Sequence, residues 1–213
     1  MRQPDFQEEN KLWRRGYKKV ACLDEAGRGP LAGPVVAAAV SSERACDYTS
    51  FTGLRDSKKL SAKQREKFYK LITANKNMAW GIGIVSEKVI DRINILEATK
   101  LAMLKALEKM KSKKVKVDFL ILDGRMRINS SLPQKSIVKA DEKVFSCAAS
   151  SILAKVTRDR LMEKYGCKYP RYKFDIHKGY PTKEHCRILR RYGPCPIHRK
   201  SFGPVSECLT KKR

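Results

Sequence analysis

The segment GYKKVACLDEAGRGPLAGPVVAAAV, residues 16–40, decides how the rest of the chain reads. Its first part, Gly16 to Leu23, closes on a short apolar run with a β-branched residue and reads as a strand. Val35 to Val40 reads as a second strand. Between them lies a glycine-rich elbow, Glu25–Pro34, so the two strands are expected to form a hairpin. Two adjacent carboxylates, Asp24 and Glu25, stand where the first strand meets the elbow.

Downstream, Ser61-Ala62-Lys63-Gln64 is a capping box, in which each polar side chain can satisfy a free amide. It opens a helix with Phe68, Leu71 and Ile72 on one face that stops near Asn75. Met78–Val85 reads as a strand, after which Ser86 caps a helix carrying Val89, Ile93, Leu96, Met103, Leu104 and Leu107. Val115–Leu122 is a strand entering Asp123-Gly124, and Ile137-Val138 is a short extended piece leading to Asp141. Val144, Phe145, Ala148, Ala149, Ile152, Leu153 and Val156 then recur at helical spacing, the strongest such pattern in the chain. Residues 1–16 are polar and read as frayed or loosely helical. Early strands followed by alternating helices and strands define an α/β chain, a mixed sheet with helices packed on it.

A chain of 213 residues suffices for one large domain or two small ones. Its 47 Lys+Arg against 22 Asp+Glu leave +25, which excludes an acidic metal-buffering protein. That excess points to a polyanionic partner, nucleic acid ahead of a membrane surface. No apolar stretch is long enough to cross a bilayer, and the opening MRQPDFQEEN has no apolar core, so export is not expected. Seven cysteines without a C-x-x-C pair read as reduced thiols of a cytoplasmic protein. Cys167, Cys186, Cys195 and His198 lack the tight first pair of a structural zinc site, so zinc is not expected there.

Residues 164–213 differ in character from residues 1–163. They hold 14 Lys/Arg against three Asp/Glu, with Tyr165, Tyr169, Tyr172, Phe174, Tyr180, Tyr192 and Phe202 interleaved. Such a mixture either neutralises phosphates and stacks on sugars or bases, or is a solvated basic helix anchored by its rings.

Asp24, Glu25 and Asp123 end apolar strands, and Asp141 precedes the amphipathic helix. Carboxylates that converge in space repel one another unless cations hold them together. Two hard divalent ions about 4 Å apart suit phosphodiester hydrolysis, since they activate water and stabilise the leaving oxygen. Asp123-Gly124 also reads as a turn and Asp141 as a helix cap, whereas Asp24-Glu25 has no such stabilising role. The elbow Gly27–Pro34 lets backbone amides approach a bulky anion, or is a tight hairpin turn.

The run DEAGRGPLAGPVVAAAV, Asp24–Val40, resembles the opening active-site segment of ribonuclease HII. The resemblance continues in order through Asp56–Ser61 (DSKKLS), Asn94-Ile95-Leu96 with Ala98-Thr99, Leu122-Asp123-Gly124, and Lys139-Ala140-Asp141 with Ala148–Asp159. His177–Thr182 (HKGYPT) and Arg199–Pro204 (RKSFGP) complete it. The resemblance implies a ribonuclease H-like mixed sheet flanked by helices, with a catalytic domain over 1–163. A small basic, aromatic-rich helical region, 164–213, would complete the substrate cleft. It further implies metal-dependent endonucleolytic cleavage of the RNA strand of RNA–DNA hybrids and incision 5′ to ribonucleotides embedded in duplex DNA. Asp24, Glu25, Asp123 and Asp141 would then be the catalytic acids binding Mg²⁺ or Mn²⁺. Gly27, Arg28 and Gly29 would contact the 2′-hydroxyl and adjacent phosphates, Tyr180 would stack near the junction, and Lys58 and Lys59 would contact phosphates.

The related ribonuclease HIII family carries Gly-Thr-Gly in the elbow and an extra N-terminal domain, for which the 23 residues before Asp24 are too few. No glutamine-plus-aromatic peptide marks a sliding-clamp partner, and a monomer is expected. A competing reading is a non-catalytic basic nucleic-acid-binding protein, which explains the tail but leaves Asp24-Glu25 unexplained. A membrane-surface protein lacks its basic amphipathic helix with a broad apolar face. The terminal Lys211-Lys212-Arg213 either adds phosphate affinity or is unstructured.

Overall fold

The computed structural model describes residues 3–44 and 49–210, so the Lys211–Arg213 expectation and Cys46 lie outside the described residues. Five strands form one sheet: β1 (Val20–Ala26), β2 (Val35–Ser42), β3 (Met78–Val85), β4 (Phe119–Asp123) and β5 (Gln134–Ile137), in the order β3-β2-β1-β4-β5. β1 and β2 pair antiparallel, the expected hairpin, and β3 adds antiparallel to β2. β4 joins β1 in parallel and β5 joins β4 in parallel, so the sheet is mixed.

Every residue of β2 is buried, because helices cover both faces of this central strand and a continuous apolar run is what such a position selects. On one face Val36, Ala38 and Val40 meet Phe68 and Ile72 of α2 (Ala62–Ala74) and Ala148, Ala149 and Ile152 of α4 (Phe145–Lys168). On the other, Val35, Ala37 and Ala39 meet Ala98, Ala102, Met103 and Ala106 of α3 (Glu87–Ser112). Both bonds of the Ser61–Gln64 capping box are made, and α2 ends at Asn75 as read. No helix is long and apolar enough to cross a membrane among the described residues.

Five local expectations are corrected. The first strand begins at Val20 rather than Gly16, and the fourth at Phe119 rather than Val115. Ser86 sits at the N-cap of α3 without a side-chain cap bond, and α3 is broken at Asn94. Asn94 adopts φ 65°, and its Oδ1 accepts from the amides of Leu96 and Glu97, restarting the helix. Asp141 is not the cap of α4; Val144 occupies that position, and Asp141 lies in the preceding 3₁₀ turn Ala140–Glu142. The N-terminal segment is not loose either, since α1 (Gln7–Arg14) buries Leu12 and Trp13. Its Glu9 Oε1 accepts from Ser146 N at 3.1 Å, capping α4 from a distant part of the chain.

Helix α4 runs through the 163/164 position, and the remaining helices α5 (Phe174–His177), α6 (Lys183–Tyr192) and α7 (Gly203–Thr210) follow it. This region closes onto the elbow through Leu31 N to Gly179 O (2.8 Å), Gly33 N to Ile197 O (2.9 Å) and Arg199 N to Leu31 O (2.8 Å).

Gly81 and Gly83 let β3 lie directly against α3. A Cβ on Gly83 would overlap the Ala102 carbonyl oxygen, which is main chain and cannot swing aside. Gly83→Ala is expected to lower the unfolding free energy by about 2–3 kcal/mol in urea denaturation, the usual range for overpacking. A loss below about 0.5 kcal/mol would contradict this close approach.

Candidate active site

The parallel pairing of β1 and β4 sets the site. Leu23 stands opposite Leu122, so the next residues, Asp24 and Asp123, emerge side by side where the pairing of β1 with β4 ends. Alternation along β1 turns Asp24 toward the α4 face, while Glu25 turns toward the α3 face with Arg28 and Leu96. Asp141 arrives from beyond β5. Lys139 takes a left-handed conformation (φ 58°), and Ala140 N donates to Asp123 Oδ1 at 2.6 Å. Asp123 thus fastens the loop that carries Asp141.

Ligand oxygens of Asp24, Asp123 and Asp141 all lie within 4.8 Å of one another. Among the described residues no other three histidine, cysteine or acidic side chains do so. Asp24 and Asp141 are buried. Burial first, and then the neighbouring charges of Glu25, Asp123 and Asp141, push the Asp24 carboxyl well above the usual carboxylate range. Burial, with Asp123 and Asp56 nearby, pushes Asp141 up to about 7. Burial also raises Glu25, against the opposing pull of Arg28 at 3.3 Å. Glu25 Oε2 is buried without a hydrogen-bond partner.

Of the two lysines, Lys58 belongs to the acidic centre. Burial disfavours its ammonium, yet Asp56, Asp141, Asp24 and Asp123 outweigh that and raise its pKa. Lys59 instead pairs with Glu142 at 3.2 Å. Gly27 adopts φ 99°, while Arg28 and Gly29 are exposed at the tip of the elbow. Tyr180 is 38% exposed, and a Cβ on Gly29 would lie 4.0 Å from its Cε1, so ring and elbow form one surface. A groove beside Asp123 is lined by Arg28, Lys100, Arg125 and Arg127, all cationic.

Sequence reasoning passed over three groups. Asp56, within the DSKKLS run, is a fifth carboxylate that hydrogen-bonds Asp141 while its Oδ1 accepts from Lys58 N at 3.0 Å. Arg158 and Arg199 are buried behind the elbow; Arg158 continues the buried small-residue face of Ser151 and Ala154 on α4, the one signal pointing to it. The three histidines form a connected set. His198 Nδ1 accepts from Cys195 N, leaving Nε2–H to donate to His185 Nε2 at 3.1 Å, and His185 Nδ1–H donates to the Tyr180 carbonyl at 2.9 Å. Burial holds His185 and His198 down to about 4, neutral as that pattern requires. Cys195 Sγ lies 3.2 Å from His198 Nδ1, but no third ligand completes a zinc site among the described residues.

A mixed sheet whose parallel strands end in converging carboxylates, set in a strongly basic chain, defines a phosphodiester hydrolase of the ribonuclease H class. The family model for ribonuclease HII matches residues 21–205, and the chain belongs to that family, endonucleases acting on RNA–DNA hybrids. It is 51% identical over 197 residues to ribonuclease HII of Bacillus licheniformis, covering 92% of this chain and 74% of that protein. To the Caldicellulosiruptor bescii enzyme it is 49% identical, covering 92% of each chain. Among solved structures, ribonuclease H2 of Pyrococcus horikoshii superposes with a TM-score of 0.71 at 28% identity, over 91% of this chain and 98% of that one. Ribonuclease HII from the PCNA complex of Archaeoglobus fulgidus gives 0.70 at 26% identity, over 87% and 95%.

The raised acids have a pH consequence. A native carboxyl group above its unfolded value keeps a proton that the unfolded chain has lost, so its contribution to stability declines as pH rises from about 4 to about 7. His185 and His198 act in the opposite sense over the same window, so the informative quantity is a difference. In EDTA, the melting temperature of Asp141→Asn minus that of the wild type is expected to grow from pH 5 to pH 7.5. A difference independent of pH would contradict the clustering.

Proposed function

We propose that the chain cleaves the RNA strand of RNA–DNA hybrids and incises duplex DNA 5′ to an embedded ribonucleotide, leaving 3′-hydroxyl and 5′-phosphate ends. The convergence of Asp24, Asp123 and Asp141 beside the exposed tip of the glycine elbow carries this reading. Asp24, Asp123 and Asp141, with Glu25 from the opposite face, would hold two divalent ions, Mg²⁺ or Mn²⁺. The residues fit such a role: three buried or half-buried oxygens within 4.8 Å of one another, acids raised by their crowding, and a buried partnerless oxygen on Glu25. When bound, such ions supply the charge that activates water and stabilises the leaving oxygen.

The remaining steps belong to the protein. Only the 2′-hydroxyl, donor and acceptor at once, distinguishes RNA from DNA at one nucleotide, and Gly27, Arg28 and Gly29 can approach it without a bulky side chain intervening. Tyr180, next to Gly29, stacks at the junction and meets the altered sugar pucker as a change of contact surface. Lys58 faces the scissile phosphate from the acidic side, and Lys59 serves the flanking backbone. Arg28, Lys100, Arg125 and Arg127 follow the phosphates along the groove. Residues 164–213 complete the cleft of the domain over 1–163. The protein acts in the cytoplasm as a monomer.

Asp24→Asn is expected to abolish cleavage of a labelled duplex carrying one ribonucleotide while leaving duplex binding intact; substantial Mg²⁺-dependent activity in that variant would overturn the assignment. Tyr180→Phe is expected to retain most activity, and Tyr180→Ala to lose roughly ten-fold or more, since stacking on a base is worth about 1–3 kcal/mol. Equal loss in both variants would assign the work to the hydroxyl instead.

A further inference from the structure

Two buried cations lie behind the elbow. Arg158 on α4 and Arg199, beyond α6, are each 0% exposed. Buried charges are normally paired with opposite ones. Among the described residues neither arginine has a carboxylate within ion-pair distance, and Asp159, the neighbour of Arg158, is engaged by Lys155 and Arg65. Their donors go to main-chain carbonyls. Arg199 Nη2 donates to Gly27 O (2.6 Å) and Pro34 O (3.2 Å), Nη1 to Arg28 O (2.9 Å) and Nε to Gly33 O (2.9 Å). Arg158 Nε donates to Pro34 O (3.0 Å), Nη2 to Ala32 O (3.1 Å) and Nη1 to Lys178 O (2.9 Å).

The peptide plane converts this into an orientation at the surface. In a trans peptide the carbonyl of one residue and the amide of the next point in opposite directions. With the carbonyls of Gly27 and Arg28 drawn inward by Arg199, the amides of Arg28 and Gly29 are turned outward. Both residues are exposed, and neither amide has an acceptor among the described residues. The glycine at 27 answers to the same device, because a Cβ there would overlap Arg158 Nε. Burial lowers the arginines to about 10 and about 9, which leaves both charged at neutral pH beneath a surface that receives an anion.

We propose that Arg199, supported by Arg158, is a positioning residue for the ribose-sensing elbow, fixing the Arg28 and Gly29 amides as an outward pair of donors for the substrate's 2′-hydroxyl. The inference rests on the ribose-sensing role proposed above. It requires arginine in particular. A planar fork reaches three or more carbonyls in set directions, which the compact ammonium of lysine does not.

The test is equilibrium binding of the full chain carrying Asp24→Asn, which prevents cleavage, to a DNA duplex with one ribonucleotide and to the matched all-DNA duplex. Arg199→Lys is expected to lower the ratio of the two affinities about ten-fold while changing all-DNA affinity less than about two-fold, corresponding to loss of roughly one to two hydrogen bonds. Equal loss on both duplexes, or an unchanged ratio in a folded variant, overturns the proposal. If thermal unfolding shows that Arg199→Lys is not folded, Arg199→Gln takes its place with an intermediate ratio expected. Unfolding of both overturns the proposal too, since the guanidinium would then serve the fold as a whole. A parent chain that binds both duplexes equally removes the ribose-sensing reading and the positioning role of Arg199 with it. A parent ratio that persists in Arg199→Lys removes the positioning role alone.

Discussion

Parallel pairing of β1 with β4 is the constraint to which the rest of the structure responds. It places Asp24 beside Asp123, and the Ala140 amide bound to Asp123 then brings Asp141 to the same point. Two like charges about 4 Å apart at an effective dielectric of 20 repel by roughly 4 kcal/mol, so three such groups cannot all be bare anions at little cost. The surroundings meet this in three ways. Main-chain amides of Glu25 and Ala140 donate to Asp24 and Asp123, Lys58 supplies a nearby cation, and Asp141, pushed up to about 7, holds part of a proton near neutral pH. Each is the arrangement expected of a centre that binds cations when they are present.

Much of this was legible from sequence, for reasons that differ by residue. The capping box and the apolar period of α4 report local physics, and the elements formed where those signals lie. Asp24-Glu25 stood out because two adjacent carboxylates before a glycine-rich elbow have no stabilising role, whereas Asp123 and Asp141, which read equally as a turn and a helix cap, were singled out only by the resemblance. The broken helix at Asn94 was not, since an asparagine amid helical spacing looks like an ordinary surface residue until its left-handed backbone is seen. The anchoring of α1 was missed because Glu9 caps a helix 137 residues away, a relation no local window contains. Asp56 and Arg199 were hidden in the same way. Their roles come from partners on other elements, and their own neighbours in sequence are charged residues that read as solvated surface.

The C-terminal region, singled out by its charge and rings, is tied to the chemistry by buried polar contacts more than by its exposed cations. Its main chain bonds to Leu31 and Gly33, its Arg199 holds the elbow carbonyls, and its histidines fix the carbonyl of Tyr180. Elbow, tyrosine and acids therefore form one continuous construction in which each part restricts the others. On the function proposed above, recognition and hydrolysis would share one backbone, so that a difference of one hydroxyl group could be read at the scissile position.

The measurement that bears most directly on the central claim is calorimetric titration of the full chain with Mn²⁺ at pH 6.5, in two buffers of different ionisation enthalpy. Ions entering a cluster whose acids hold protons must displace them. The account predicts net proton release per ion at pH 6.5, declining as pH rises past about 7 and reduced in Asp141→Asn. Binding without proton release at pH 6.5 would contradict it.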